Sequence, residues 1–456
     1  MRSILPGIKP FSISLTIIMI LVFGVRNILS FSNQKYIVSA YFEPQISTYT
    51  SILLLFTPLI LIYREKIKIN LFVIYTITFA IWLGCFYFSK EARVNFSRFI
   101  GFPAAQESFI DLRTIPSFVK CPNATGCDPY GRITGYGNGF KLLFPLQFWT
   151  LTLAISLLSA LYIIYHFSKL TMHNKNFLLL MAISPSWIFI LERGNSTLIV
   201  MAFVVFVGGL SLKNEQLKAF LYLLLGSMKP FFFGALLGLK NLKILVITVP
   251  LSGLVYFMSL NFNFSVIKAA RVSTIYYPSS QFGVDQLPAF LVQMISGRIN
   301  QKVQPWDGSS IFIICQILGL ASLILTILLL VKCAPQLVQR TTRDASFLSD
   351  LSISCTGIYL VFYLSGSQVS YSAWIAFPFL CFMASHVFTS KTKVFQIILL
   401  SFSVFATIGI NNWFARSIGN QIIAAFASIA LYSIFKERFK NQISKKDASL
   451  KNQLEE

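Results

Sequence analysis

A few short polar stretches interrupt a chain that is otherwise mostly Leu, Ile, Phe and Val. The connection 89–142 carries Asp111, Arg113, Lys120, Asp128, Tyr130, Arg132, Tyr136 and Asn138, and contains the run CDPYGRITGYGNGF at 127–140. The turn ERGN at 192–195 adds Glu192, Arg193 and Asn195, and Lys229 stands inside the apolar stretch 217–239, directly before Pro230. A second long connection, 261–309, offers Arg271, Tyr276, Tyr277, Asp285, Arg298, Trp306 and Asp307. Carboxylates in such a set can accept a proton, and cations can hold a phosphate. Glycines allow the first stretch to bend over a bound molecule. These residue types suit group transfer from a phosphate carried on a lipid. Each stretch also has a plain structural reading. Glu192–Arg193 suits an interfacial ion pair, Asn195 or Ser196 a helix N-cap, Asp128–Pro129–Tyr130 a turn, and the aromatic residues of 261–309 an interfacial belt. Convergence of all of them on one side of a membrane favours a site.

The elements that must position these residues are membrane helices. The chain has 456 residues, of which 55% are hydrophobic and only 12% charged, with a mean hydropathy of +0.69. A soluble chain of this length needs far more polar surface. Apolar runs recur at 11–30, 50–63, 69–88, 143–165, 177–191, 197–212, 217–239, 244–260, 310–331, 346–364, 371–388, 394–411 and 417–435. The expected fold is all-α: a polytopic helical membrane protein with about 12–13 membrane segments. An outer-membrane barrel is excluded because short runs of alternating polarity are missing. The first run has a basic start but no small-residue cleavage site after it, so it reads as an uncleaved helix.

The net charge of +22 does not indicate nucleic acid, since the basic residues are scattered among loops and do not line one stripe with aromatic platforms. They give topology. Arg64, Lys66, Lys68, Lys169, Lys175, Lys213, Lys218, Lys240, Lys243, Lys332, Arg340, Arg343, Lys391 and Lys393 occupy alternate connections, and the tail adds Lys436, Arg438, Lys440, Lys445, Lys446 and Lys451. Short basic connections stay in the cytoplasm. The two long connections, the ERGN turn and the uncharged turn 365–370 then face outward. The organisation expected is N-terminal helices at 1–88, an outer catalytic loop at 89–142, core helices at 143–260, a second outer loop at 261–309, C-terminal helices at 310–435 and a basic cytoplasmic tail at 436–456. One segment breaks the alternation: 217–239 must begin and end inside if both flanking Lys pairs are cytoplasmic. A broken, re-entrant hairpin with Lys229 near its tip solves this, because Pro230 lacks a backbone donor and disfavours helix at the residue before it. A kinked ordinary span with one misplaced basic loop is the alternative.

Cys85, Cys315, Cys355 and Cys381 lie in apolar spans and read as small core residues, with Cys333 at a cytoplasmic helix end. Cys121 and Cys127 bracket PNATG in the first outer loop, where an oxidising compartment favours a disulfide over two free thiols. Asn123 opens a glycosylation sequon that reads as coincidence in so short a loop. His166, His173 and His386 are scattered, so neither a zinc site nor a cofactor is expected, and the sequence leaves a divalent-metal requirement open.

The stretches DLRTIPSFVKC at 111–121, GCDPYGR at 126–132, ERGN at 192–195, SMKPF at 227–231 and YSAWIAFPFL at 371–380 occur in that order. Together they resemble the GT-C membrane glycosyltransferases, specifically those similar to glycosyltransferase family 87, over about 95–390. The resemblance implies a GT-C-like fold and a transferase that uses a polyprenyl-phosphate sugar donor, often mannosyl, and a glycan or glycolipid acceptor. It implies Asp111 as the catalytic base. Beside it, Arg193 and Lys229 are expected to hold the lipid phosphate, and Asp128 and Asn195 to orient sugar hydroxyls. Arg113, Arg132 and Glu192 complete the substrate-binding set, with Tyr130 or Tyr136 packed on a sugar face. The expected location is a bacterial inner membrane with the site facing the periplasm. The chain departs from the family pattern at Thr197, where relatives often have an acid, and at Trp374, where they often have Arg. The rival classes are a flippase or transporter of lipid-linked sugars, which would centre its polar residues at mid-bilayer in two related halves, and a non-catalytic scaffold.

Overall fold

The computed structural model describes residues 149–170, 187, 190, 196–209, 214–260, 281–295, 310–366, 368–369, 374–383, 399, 403 and 413–455. These are overwhelmingly helical: α1 (Trp149–Leu170), α2 (Thr197–Gly209), α3 (Glu215–Met228), a 3-10 limb (Pro230–Gly238), α4 (Leu242–Ser259), α5 (Gln286–Ile295), α6 (Ser310–Cys333), α7 (Pro335–Asp344), α8 (Asp350–Ser365), α9 (Phe377–Phe382) and α10 (Trp413–Glu455). Among the described residues, four helices carry windows long and apolar enough to cross a membrane: Thr150–Phe167, Leu242–Ser259, Ile313–Cys333 and Arg416–Ser444. At 1.5 Å per residue, about 20 residues match a hydrocarbon core of about 30 Å. The expected segments before residue 143 lie outside the described residues.

Exposure in these helices is the reverse of that in a water-soluble bundle. On α4 only Leu245, Thr248 and Ser259 are buried, while Val246 and Ile247 are 69% and 67% exposed. Ile317, Leu325 and Leu328 project outward from α6 in the same way. In water such faces would form a large adhesive patch, whereas acyl chains solvate them at no cost. The described residues therefore form part of a helical membrane protein. Among the described residues α10 packs against α5, α6, α7 and α8, and its Ala424, Ala425, Ala427 and Ala430 are fully buried and allow neighbouring backbones to approach. Polar bonds fix the rotation of α10 against its neighbours. Gln421 donates to Ser322 Oγ at 2.6 Å and to Thr326 Oγ1 at 2.7 Å, and the Tyr359 hydroxyl donates to Asn420 Oδ1 at 2.9 Å.

The 217–239 stretch is a hairpin. The side chain of Asn214 caps α3 by accepting from Gln216 N and Leu217 N at 3.0 and 3.1 Å. The helix stops after Met228, and Lys229 is extended at φ −141, ψ 117, as a residue before proline must tend to be. Pro230 then starts the 3-10 limb, where its missing donor is not needed. A continuous helix would separate residues 215 and 240 by about 37 Å. Instead Lys240 N–H donates to Glu215 Oε2 at 2.8 Å, so the two ends meet and Lys229 lies at the opposite tip. The base is closed by charge: buried Lys218 lies 3.8 Å from Glu215 and 3.5 Å from Asp350, and Lys240 lies 3.2 Å from Asp350. Arg438 adds donors to the carbonyls of Leu237 and Leu239, which end the 3-10 limb.

The 3-10 limb lies along α8. Gly234 and Gly357 meet backbone to backbone, leaving no room for a Cβ on either. Ser354 Oγ donates to Ala235 O at 3.0 Å, and Phe231 stacks on Phe362 at 4.3 Å. Gly357→Ala is expected to force limb and helix apart and to cost about 3 kcal/mol, the upper part of the overpacking range. A fall in the thermal unfolding midpoint of detergent-purified protein is the readout.

The described part of 261–309 carries a short strand and α5 and enters the bundle. Gln281–Phe282 (β1) pairs antiparallel with Gln368–Val369 (β2), in register Gln281↔Val369 and Phe282↔Gln368, so the described residues are helical with one short ladder. Val284 N then donates to Tyr363 O at 2.8 Å, and Asp285 and Gln286 are 0% and 1% exposed. Gly319 makes this possible, since a side chain there would overlap the Val284 carbonyl. Irregular backbone persists at such depth when its polar groups find partners. At the other end of the chain, α10 runs through to Glu455, so the basic stretch from 436 continues the helix. Beyond 435 it contains Lys, Glu, Gln, Leu and Ala without Gly or Pro, so nothing stops the helix.

One end of the bundle gathers the Glu215–Lys218–Lys240–Asp350 group, Arg438, and the Ser433 hydroxyl donating to Thr342 O at 2.8 Å. Lys332 and exposed Cys333 end α6 just before α7, the helix that carries Thr342. The positive-inside rule reads that end as cytoplasmic. A membrane-impermeant maleimide is accordingly expected to label Cys333 in inverted vesicles and to spare it in intact cells. The reverse pattern would invert the topology.

Candidate functional site

Of the residues assigned a catalytic or substrate-binding role from the sequence, Lys229 is the one the structure describes. Asp111, Arg113, Asp128, Tyr130, Arg132, Glu192, Arg193 and Asn195 lie outside the described residues, as do Cys121 and Cys127. Lys229 is 4% exposed, and its Nζ donates to Thr197 Oγ1 at 2.9 Å. Thr197 is the first residue of α2, and both it and Ser196 are buried. In the sequence Asn195 stands two positions ahead of Thr197. Two motifs more than thirty residues apart therefore come together: the helix entered from the ERGN turn, and the lysine of SMKPF.

Two features at this point favour negative charge. The first turn of α2 has no acidic residue, and a helix N-terminus presents orphan N–H groups together with the positive end of the helix dipole. An ammonium in a buried, low-dielectric position intensifies that field. The Thr197 hydroxyl gives Lys229 an acceptor. An ammonium beside a helix start is suited to an anion, above all to a phosphate oxygen. The hairpin supplies the rigidity: the tip is held by the Gly234–Gly357 crossing and by the stacked Phe231 and Phe362.

Trp374 is fully buried and packs edge-on against Trp187 at 5.0 Å. Its Nε1 has no hydrogen-bond partner among the described residues. Reading the sequence alone assigns no weight to Arg416, yet it is 1% exposed on α10. It sits at the junction of two apolar runs, where an Arg resembles an interfacial anchor, so its burial had no signal in the sequence. Asp285 is also fully buried, although its sequence context, GVDQLP, looks like an ordinary helix-capping turn.

Comparison of the chain with protein-family models, with characterised proteins and with solved structures gives no match. The site is therefore read from its own chemistry.

Proposed function

We propose that the chain is an integral membrane glycosyltransferase that moves a hexose, read as mannose, from a polyprenyl-phosphate donor to a glycan or glycolipid acceptor at the outer face. One observation carries this reading. A buried lysine at the tip of a broken helical hairpin bonds to the first residue of the helix that follows the ERGN turn. That arrangement suits a lipid-linked phosphate at the membrane boundary, and it unites two of the stretches on which the family resemblance rests.

In the proposed reaction the acceptor hydroxyl oxygen attacks the anomeric carbon. The bond from that carbon to the phosphate oxygen breaks, and the phosphate leaves with the electron pair. Asp111 takes the hydroxyl proton. Lys229 and Arg193 hold the charge that grows on the departing phosphate, while Asp128 and Asn195 fix the sugar. A single displacement inverts the anomeric centre. A phosphate is already a good leaving group, so positioning and charge stabilisation suffice.

The test uses purified full-length protein in liposomes with radiolabelled polyprenyl-phosphate mannose and a lipid-extracted glycan acceptor. Transfer of label to the acceptor is expected. Movement of the donor across the bilayer without transfer would replace this reading with a transporter, and neither outcome would leave a scaffold.

A further inference from the structure

A cavity of about 690 Å³ opens at the basic end of the bundle, remote from Lys229. The 14 residues of α3 separate that end from the hairpin tip, a rise of about 21 Å. The volume falls in the range of about 300–1,000 Å³ typical of small-molecule sites. Lys240, Asp350, Glu437, Arg438, Asn441 and His166 supply its polar lining, and Ile353 and Ile434 belong to an apolar part of the wall. The cavity forms where the ends of α1 and α2 approach the start of α8 and the late turns of α10.

We infer that this cavity is a binding site for the zwitterionic phosphate–ammonium headgroup of a phospholipid in the cytoplasmic leaflet, phosphatidylethanolamine being the chemistry that fits. The argument starts from charge. Two cations, Lys240 and Arg438, face two carboxylates, Asp350 and Glu437, so the lining sums to zero apart from His166. A nucleotide or sugar phosphate brings several negative charges and needs a surplus of cations that the lining does not have. A ligand with one phosphate and one primary ammonium pairs both signs at once, and the three N–H donors of the ammonium suit Asp350, Glu437 and the Asn441 carbonyl oxygen. Position then selects the source. The cavity lies where basic side chains crowd the end of apolar helices, the end that the positive-inside rule reads as cytoplasmic, and its wall combines charged groups with Ile353 and Ile434 as an amphiphile requires.

Occupancy also touches the hairpin. Lys240 and Asp350 line the cavity and close the hairpin base, at 3.2 Å from each other. A headgroup engaging both braces the base from which Lys229 is presented. The inference stands whether or not the protein transfers sugar.

The test uses delipidated full-length protein in detergent, with thermal unfolding followed as each lipid is added. Dioleoyl-phosphatidylethanolamine is expected to raise the midpoint by about 3–5 °C at saturation. Dioleoyl-phosphatidylglycerol, which lacks the ammonium, is expected to leave it in place. Glu437 is exposed, so Glu437→Gln should fold normally and demand about tenfold more phosphatidylethanolamine for the same shift. Hydrogen exchange across 215–240 should slow with the lipid. Equal stabilisation by both lipids, or an unchanged dose response in Glu437→Gln, would overturn the site. Glycerophosphoethanolamine without acyl chains producing the whole shift would overturn the lipid as the source.

Discussion

Lys229→Gln is expected to lower sugar transfer about 10²–10³-fold, the range for removing one preorganised group that stabilises developing charge. Glutamine retains a donor for Thr197 Oγ1 and is close to lysine in bulk, so the hairpin tip should stay folded. What disappears is the positive charge, in a buried place where charge acts strongly because little water screens it. Lys229→Arg keeps the charge but spreads it over a planar fork, so partial activity is expected. The contrast between the two variants separates the roles. A lysine that only anchors the hairpin would give near-normal transfer in both, since neither substitution removes the hydrogen bond. Expression level and unfolding midpoint serve as folding controls. The loss should fall on donor use, seen as a raised KM for the polyprenyl-phosphate sugar together with a lowered kcat.

Parts of this architecture were legible in the sequence for identifiable reasons. Hydrophobic runs located α1, α2, α4, α6 and α8 to within a few residues, because a bilayer demands about 20 apolar residues in a row. The hairpin was legible as one of two readings, because Lys229–Pro230 fixes where the helix must stop and the flanking lysines fix where the chain must return. What decided between them is long-range and invisible in a linear reading: the Lys240 N–H bond to Glu215, and the passage of Gly234 against Gly357. The burial of Asp285 could not be read for the same reason. It depends on Gly319 and Tyr363, distant in sequence, which open a slot and provide a carbonyl for the turn. The bond from Lys229 to Thr197 was likewise unread, since it spans two motifs whose separation in the sequence carries no geometric information. The cavity at the basic end escaped notice because its lining comes from five separated stretches, each looking like an ordinary basic or polar helix end.

The assignment of Asp111 leads to a second large expected effect. A general base typically contributes a factor of about 10²–10⁴, so Asp111→Asn is expected to reduce transfer by that range. Asparagine preserves size and most hydrogen bonding while removing the proton acceptor, so expression should be unaffected. Asp128→Asn should lose less, because a residue that orients sugar hydroxyls retains an acceptor and gains a donor in the amide. Comparing Asp111→Asn with Lys229→Gln tests the mechanism more sharply than either alone. Loss of the base should reduce kcat with little change in KM for the donor, since proton removal belongs to the transition state and not to ground-state binding. Loss of the phosphate cation should affect both. Residual transfer by Asp111→Asn should rise with pH as the acceptor hydroxyl loses its proton more readily, while Lys229→Gln keeps the native pH profile because its base is intact. If Asp128→Asn collapses while Asp111→Asn remains active, the two carboxylates exchange roles. If neither matters, proton removal falls to another carboxylate, and buried Asp285 is the next to replace.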